Sequence, residues 1–200
     1  MNFPILSSLI LLPTIGALFI LFTKSSNEVN RSSKYVALFI SFANFLLSLY
    51  LWYIFDKTSV DFQFLENREW LVGLINYKVG VDGISILFII LTTFITPICI
   101  ISVNATIKNR VKDFLISILI METFMIGVFC SLDLVVFYLF FEAGLIPMFL
   151  IIGIWGGERR VYSAFKFFLY TLLGSVLMLI AIIAIYWITG TTDVEKLYEL

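Results

Sequence analysis

The chain has 200 residues, of which 61% are hydrophobic and 14% charged, with a formal net charge of −1 and no histidine. A soluble globular domain is nearer 45–50% apolar and about 25% charged, so this is the composition of a membrane protein, and the balanced charge argues against nucleic acid as a partner. The lack of histidine excludes His-based catalysis, His-ligated haem and most zinc sites within this polypeptide, and Cys99 and Cys130 lie apart in apolar runs, which disfavours a metal site or a disulfide framework.

Six apolar segments are long enough to cross a hydrocarbon core of about 30 Å as helices. The first, Phe3–Thr23, lacks a basic leader and a small-residue cleavage site, and reads as an uncleaved span rather than a signal peptide. The second is Tyr35–Phe55. Between it and the third, Ile84–Val103, lies the long connection Asp56–Gly83. There Val60, Phe62 and Phe64 alternate with polar residues, Glu66–Glu69 (ENRE) reads as a turn, and Trp70–Tyr77 as a returning segment. A short hairpin over the outer surface is therefore expected. Asp82, just before Gly-Ile-Ser, reads as a helix N-cap. The fourth and fifth spans, Phe114–Cys130 and Leu134–Trp155, form a tight hairpin through Ser131-Leu132-Asp133, and Ala164–Ile188 is the sixth. The runs are continuous rather than alternating, which favours helices over a membrane barrel. Residues 1–200 thus read as a single all-α, polytopic membrane domain in contact with lipid, without internal repeat or low-complexity linker.

Charge in the connections gives an orientation. Connections 1, 3 and 5 hold eight basic residues: Lys24, Arg31, Lys34, Lys108, Arg110, Lys112, Arg159 and Arg160. The other side holds four, Lys57, Arg68, Lys78 and Lys196, among many acids. The positive-inside rule puts connections 1, 3 and 5 in the cytoplasm or an organelle matrix and the N-terminus on the periplasmic or intermembrane side.

Two glutamates interrupt the spans: Glu122 in FLISILIMETFMIGVFC and Glu142 in LVVFYLFFEAGLIPMFLIIGIW. A carboxylate at bilayer depth costs on the order of 3 kcal/mol or more. Each lies ten residues from Leu132, which in an antiparallel hairpin puts both about 15 Å from the turn and at one level. Two carboxylates at one level charge together only with difficulty, and groups so poised can exchange protons. The competing account is a permanently protonated, hydrogen-bonded structural residue. Pro147, five residues after Glu142, leaves the Ala143 carbonyl without its helical donor and is expected to kink the helix beside the carboxyl. Lys166, near the start of the sixth span, is either a snorkelling lysine or a cation tuning a proton path; its depth makes a direct pair with Glu142 doubtful. Gly127, Ala143, Gly144, Gly153, Gly174 and Ser175 suit close helix packing.

The run SLDLVVFYLFFEAGLIPMFLIIGIWGGERRVYSAFKFFLYTLLGSVLML, with the earlier VGVDGISILFIILTTFITPICI, resembles the antiporter-like membrane subunits of proton-pumping NADH–quinone oxidoreductase, respiratory complex I, specifically subunit M (subunit 4 in mitochondria). The likeness covers roughly Leu71 to Ile183 and is close to alphaproteobacterial and mitochondrial versions. It implies a fourteen-helix fold with two inverted five-helix repeats, of which spans 4–6 begin the first. Glu142 matches the family's fifth-helix glutamate, Glu122 its fourth-helix glutamate and Lys166 a basic position of the sixth helix. The resemblance implies a proton-translocating subunit of an enzyme in the bacterial inner or mitochondrial inner membrane. It also implies flanking membrane-arm and antiporter-like subunits as partners. NADH, FMN, iron–sulfur clusters and quinone would reside elsewhere in the complex, because this chain has no His, no Cys cluster and no glycine-rich nucleotide motif. The family's later helices carry the lysine that pairs with the Glu142 equivalent. This sequence stops at Leu200, so it is expected to be a fragment or one part of a split subunit completed by a second polypeptide with helices 7–14. The alternative is a subunit of a multisubunit cation/proton antiporter, whose glutamates are the same.

Overall fold

The computed structural model describes residues 4–22, 27–59, 61–71, 75–107 and 109–199. The chain runs α1 (Ile5–Phe22), α2 (Asn27–Ile54), β1 (Gln63–Leu71), β2 (Ile75–Val81), α3 (Ser85–Thr106), α4 (Val111–Cys130), α5 (Leu134–Trp155), α6 (Arg160–Thr189) and the short α7 (Val194–Tyr198). Six of these helices are long and apolar enough to cross a membrane, and each expected span coincides with one of them. Phe3 and Thr23, the outermost residues of the first span, and Val60 lie outside the described residues.

Four helices, α1–α4, pack on one another; α5 leans on α4, and α6 on α5. Burial follows that order. The apolar window of α4 is 44% buried, that of α5 17% and that of α6 11%. Small residues set the closest approaches. A side chain at Gly127 of α4 would run into the Phe140 ring of α5, and one at Gly16 of α1 into Ile40 of α2. Gly144 lies against Phe124, and Gly153 against Ala164. Gly174 does not belong with them: a Cβ there would meet nothing within 4 Å.

The hairpin differs from expectation at its turn. Glu66–Glu69 is not the turn but the middle of β1, where Glu66 pairs with Val79 and Glu69 with Asn76 of β2. The polarity of ENRE has a tertiary cause. Glu66 accepts the Leu6 N–H at 2.8 Å and the Ser7 N–H at 3.3 Å, and takes a further bond from the Ser7 hydroxyl. A carboxylate thereby satisfies the donors left over at the start of α1, where the helix dipole favours negative charge. Phe64 takes a left-handed backbone, φ 55°, where the register shifts between Gln63 and Glu66.

The same hairpin closes the far ends of other helices. Leu132 N–H donates to the Lys78 carbonyl at 2.9 Å, and Leu134 and Val194 exchange bonds with Thr192 and Leu132. The connection Ser131–Asp133 is extended, bridged to Val79 on one side and Asp193 on the other. Asp133 is buried and caps α5, accepting from Val135 N at 2.9 Å and from the Thr192 hydroxyl at 2.7 Å. Lys78 Nζ sits 2.8 Å from the Asp193 carboxylate and also pairs with Glu195. Burial alone would push the Lys78 ammonium down, but the two carboxylates outweigh it and hold it above its ordinary value of 10.5. Asp82 caps α3 reciprocally: its carboxylate accepts the Ser85 N–H at 2.7 Å, and its own N–H donates to Ser85 Oγ at 2.9 Å.

Candidate functional site

The core of α1–α4 is divided into three layers. Toward the hairpin, Leu6, Leu9, Leu51, Val79, Ile89 and Ile126 belong to one fully apolar cluster. Toward the opposite face, Ala17, Ile20, Ala37, Ile100, Leu115 and Leu119 belong to another. Between them lies a polar layer to which all four helices contribute. Thr14 of α1 bonds Thr123 of α4 at 2.8 Å, Asn44 of α2 bonds Glu122 of α4 at 2.9 Å, and Ser48 of α2 bonds Thr93 of α3 at 2.7 Å.

Glu122 is the carboxyl group of this layer and is 2% exposed. Its Oε1 accepts from Asn44 Nδ2, while Oε2 is buried with no hydrogen-bond partner. Sequence reading missed Asn44. The available signal was spacing: Ser33, Ala37, Ser41, Asn44, Ser48 and Leu51 recur every three or four residues and form the buried stripe of α2. An amide on that stripe, in an otherwise apolar run, has to meet a polar partner from another helix.

Glu142 projects from the other side of the hairpin of helices. It lies eleven residues from Gly153, hence on the same face of α5, and Ser175 lies eleven from Ala164 on α6. A Cβ added at Gly153 would stand 3.5 Å from the Ala164 Cβ, so α5 and α6 approach closely there. Ser175 of α6 is buried, and its hydroxyl donates to the Leu172 carbonyl at 2.9 Å. Glu142 is half-buried, and its Oε2, like that of Glu122, is enclosed without a partner. Pro147 lies inside α5, which continues through it to Trp155.

The two glutamates are not level. Gly144 lies beside the Phe124 Cβ, 3.7 Å from where its own Cβ would stand. Glu122 is two residues beyond that level in one direction and Glu142 two in the other, an axial offset of about 6 Å at 1.5 Å per residue. The cause is the extended Ser131–Asp133 segment, which climbs away from the end of α4 before α5 begins. Glu122 looks toward α2, where Asn44 donates to it.

Lys166 is exposed on α6 with its ammonium 5.9 Å from the centre of the Tyr162 ring. Among the described residues, no salt bridge joins it to Glu142. Cys99 is exposed and Cys130 buried, and both are free. Among the described residues, no three His, Cys, Asp or Glu side chains gather as metal ligands would. A cleft of about 760 Å³ opens between α1, α4 and α5, reaching from Thr14, Thr123 and Ala143 up to Tyr77 and Arg68 of the hairpin.

Residues 131–200 match the transmembrane family described as NADH:quinone oxidoreductase/Mrp antiporter. Among curated proteins, the chain is 57% identical over 173 residues to NADH-quinone oxidoreductase subunit M of Rhodobacter capsulatus, covering 86% of this chain and 33% of that protein. It is 48% identical over 194 residues to NADH-ubiquinone oxidoreductase chain 4 of Marchantia polymorpha, covering 96% of this chain and 39% of that one. Among solved structures it superposes on a chain of respiratory complex I from Thermus thermophilus with a TM-score of 0.81 and 30% identity, covering 96% of this chain and 38% of that chain. The chain thus spans between a third and two fifths of the length of these relatives.

Proposed function

We propose, from its homology to subunit M and chain 4 of NADH–quinone oxidoreductase, that this chain acts in proton translocation within the membrane part of such a complex. NADH oxidation and quinone reduction would take place on partner subunits carrying flavin and iron–sulfur clusters. This chain would supply titratable groups at membrane depth. Moving one proton outward against 100 mV takes about 2.3 kcal/mol, which sets the scale of the coupling.

The observation that carries this reading is that Glu142, within a helix long and apolar enough to cross a membrane, keeps one carboxyl oxygen enclosed and without a hydrogen-bond partner. Buried side-chain polar atoms are in the large majority hydrogen-bonded, so an unpartnered carboxyl oxygen marks a group open to a further donor or proton. Glu142 is the charge-switching group. It is only half-buried, and the carbonyl of Ala143 beside it lacks a helical donor because Pro147 follows. Glu122, sealed between two apolar clusters, modulates or relays. Lys166 acts at the membrane boundary and not as the direct partner of Glu142. The basic residues of connections 1, 3 and 5 support an N-terminus on the periplasmic or intermembrane side.

The names of the relatives and the match to a respiratory complex favour this reading over a separate cation/proton antiporter. Glu142→Gln in the assembled complex, scored as protons moved per NADH oxidised, tests it. Loss of most of that ratio with assembly intact is expected. A normal ratio in a normally assembled complex would sink the role of Glu142.

A further inference from the structure

Two acceptors stand without a donor at one place in the polar layer. Asn44 Nδ2 donates to Glu122 Oε1 at 2.9 Å, yet Asn44 Oδ1 and Glu122 Oε2 are both buried and without partners. While Glu122 is a carboxylate, neither of these oxygens carries a hydrogen. The neighbouring hydroxyls are engaged elsewhere. Ser41 donates to the Leu38 carbonyl at 3.1 Å, and Ser48 to the Phe45 carbonyl at 2.7 Å. Thr123 is shared between the Leu119 carbonyl and Thr14. Among the described residues, no salt bridge reaches Glu122. The apolar clusters on either side close the layer above and below.

One proton satisfies both oxygens. A carboxylic acid and a primary amide are complementary, each offering one donor and one acceptor on the same edge. We propose that Asn44 is the positioning residue of Glu122, forming with its protonated carboxyl a two-bond amide–acid pair in which Nδ2–H donates to Oε1 and Oε2–H donates to Oδ1. Loss of the proton turns one of those bonds into a contact between two acceptors. The carboxyl then swings away from α2, and its position comes to depend on its charge. The pair itself stands on geometry; only its use in transport rests on the proton-path reading of Glu122.

The test is infrared difference spectroscopy on the assembled complex. The carbonyl band of protonated Glu122 is assigned by its loss in Glu122→Gln. Asn44→Leu, which keeps the volume and removes the amide, is expected to keep that band and move it to higher frequency, because the carbonyl loses its N–H donor. Asn44→Ala is the second variant; α2 already carries Ala37 on the same buried stripe, so a small residue is tolerated there. A band unmoved in both variants overturns the pair, and so does the absence of any band sensitive to Glu122→Gln. Proton pumping in the same preparations separates the two readings. A shifted band with normal pumping in Glu122→Gln upholds the pair and removes its transport role. An unmoved band with pumping lost in Glu122→Gln does the reverse.

Discussion

Lys78 is the residue on which the hairpin seam depends, and replacing it with Met isolates that dependence. Its ammonium lies 2.8 Å from both oxygens of Asp193, and the side chains are 9% and 12% exposed. At that distance the gross attraction is about 6 kcal/mol for an effective dielectric of 20. Desolvation offsets much of this, but removing one partner leaves the other charge buried, which typically costs about 3–5 kcal/mol. Asp193 keeps the Glu195 N–H at 3.0 Å, and Glu195 is 31% exposed, so the low end applies, about 3 kcal/mol. The readout is hydrogen exchange at the Leu132, Leu134 and Val194 amides, which knit Ser131–Asp133 to the hairpin and to the segment before α7. At about 1.4 kcal/mol per decade, their protection should fall roughly 100-fold. The pH dependence has a definite sign. Lys78 is held above 10.5 in the folded protein, so its contribution is fully present below that value and is lost as pH rises through the folded one. Lys78→Met with protection of these amides unchanged would refute the assignment of the seam to this ion pair.

Other outcomes follow from the same geometry. Asp82→Ala removes the cap of α3 and should cost about 1 kcal/mol, read as faster exchange at the start of that helix. Burial pushes the Asp82 carboxyl up, but its bonds to Ser85 prevail and hold it below 3.8, so the cap is present above that value and is lost as pH falls through the folded one. Gly127→Val places side-chain atoms in the Phe140 ring. Overpacking of this kind costs about 1–3 kcal/mol, and the α4–α5 pair should lose thermal stability in the assembled complex, read as a lower Tm.

Much of the fold was legible in the sequence because the bilayer reduces it to a question of length. A run of about 20 apolar residues has few alternatives to a spanning helix, and all six expected spans appear with ends displaced by a few residues. The hairpin was legible as a hairpin but not at its turn. Glu66–Glu69 is polar because Glu66 serves the start of α1, sixty residues earlier in the chain, and no local pattern carries that information. The levels of the two glutamates failed for a similar reason: counting residues from Leu132 assumes a compact turn, whereas Ser131–Asp133 is drawn out by its bridges to Val79 and Asp193.

By itself, then, the sequence determined a polytopic helical membrane protein, the approximate places of its six long helices, and the presence of two carboxyl groups within them. Hydrophobic length and the position of a charge are properties of the chain alone. Tertiary structure decided what those carboxyl groups face. Asn44 meets Glu122 across 78 positions of sequence. Lys78 finds Asp193 across 115 positions. Polar partners inside a membrane protein are chosen by which helix faces are brought together, and that choice is made by packing.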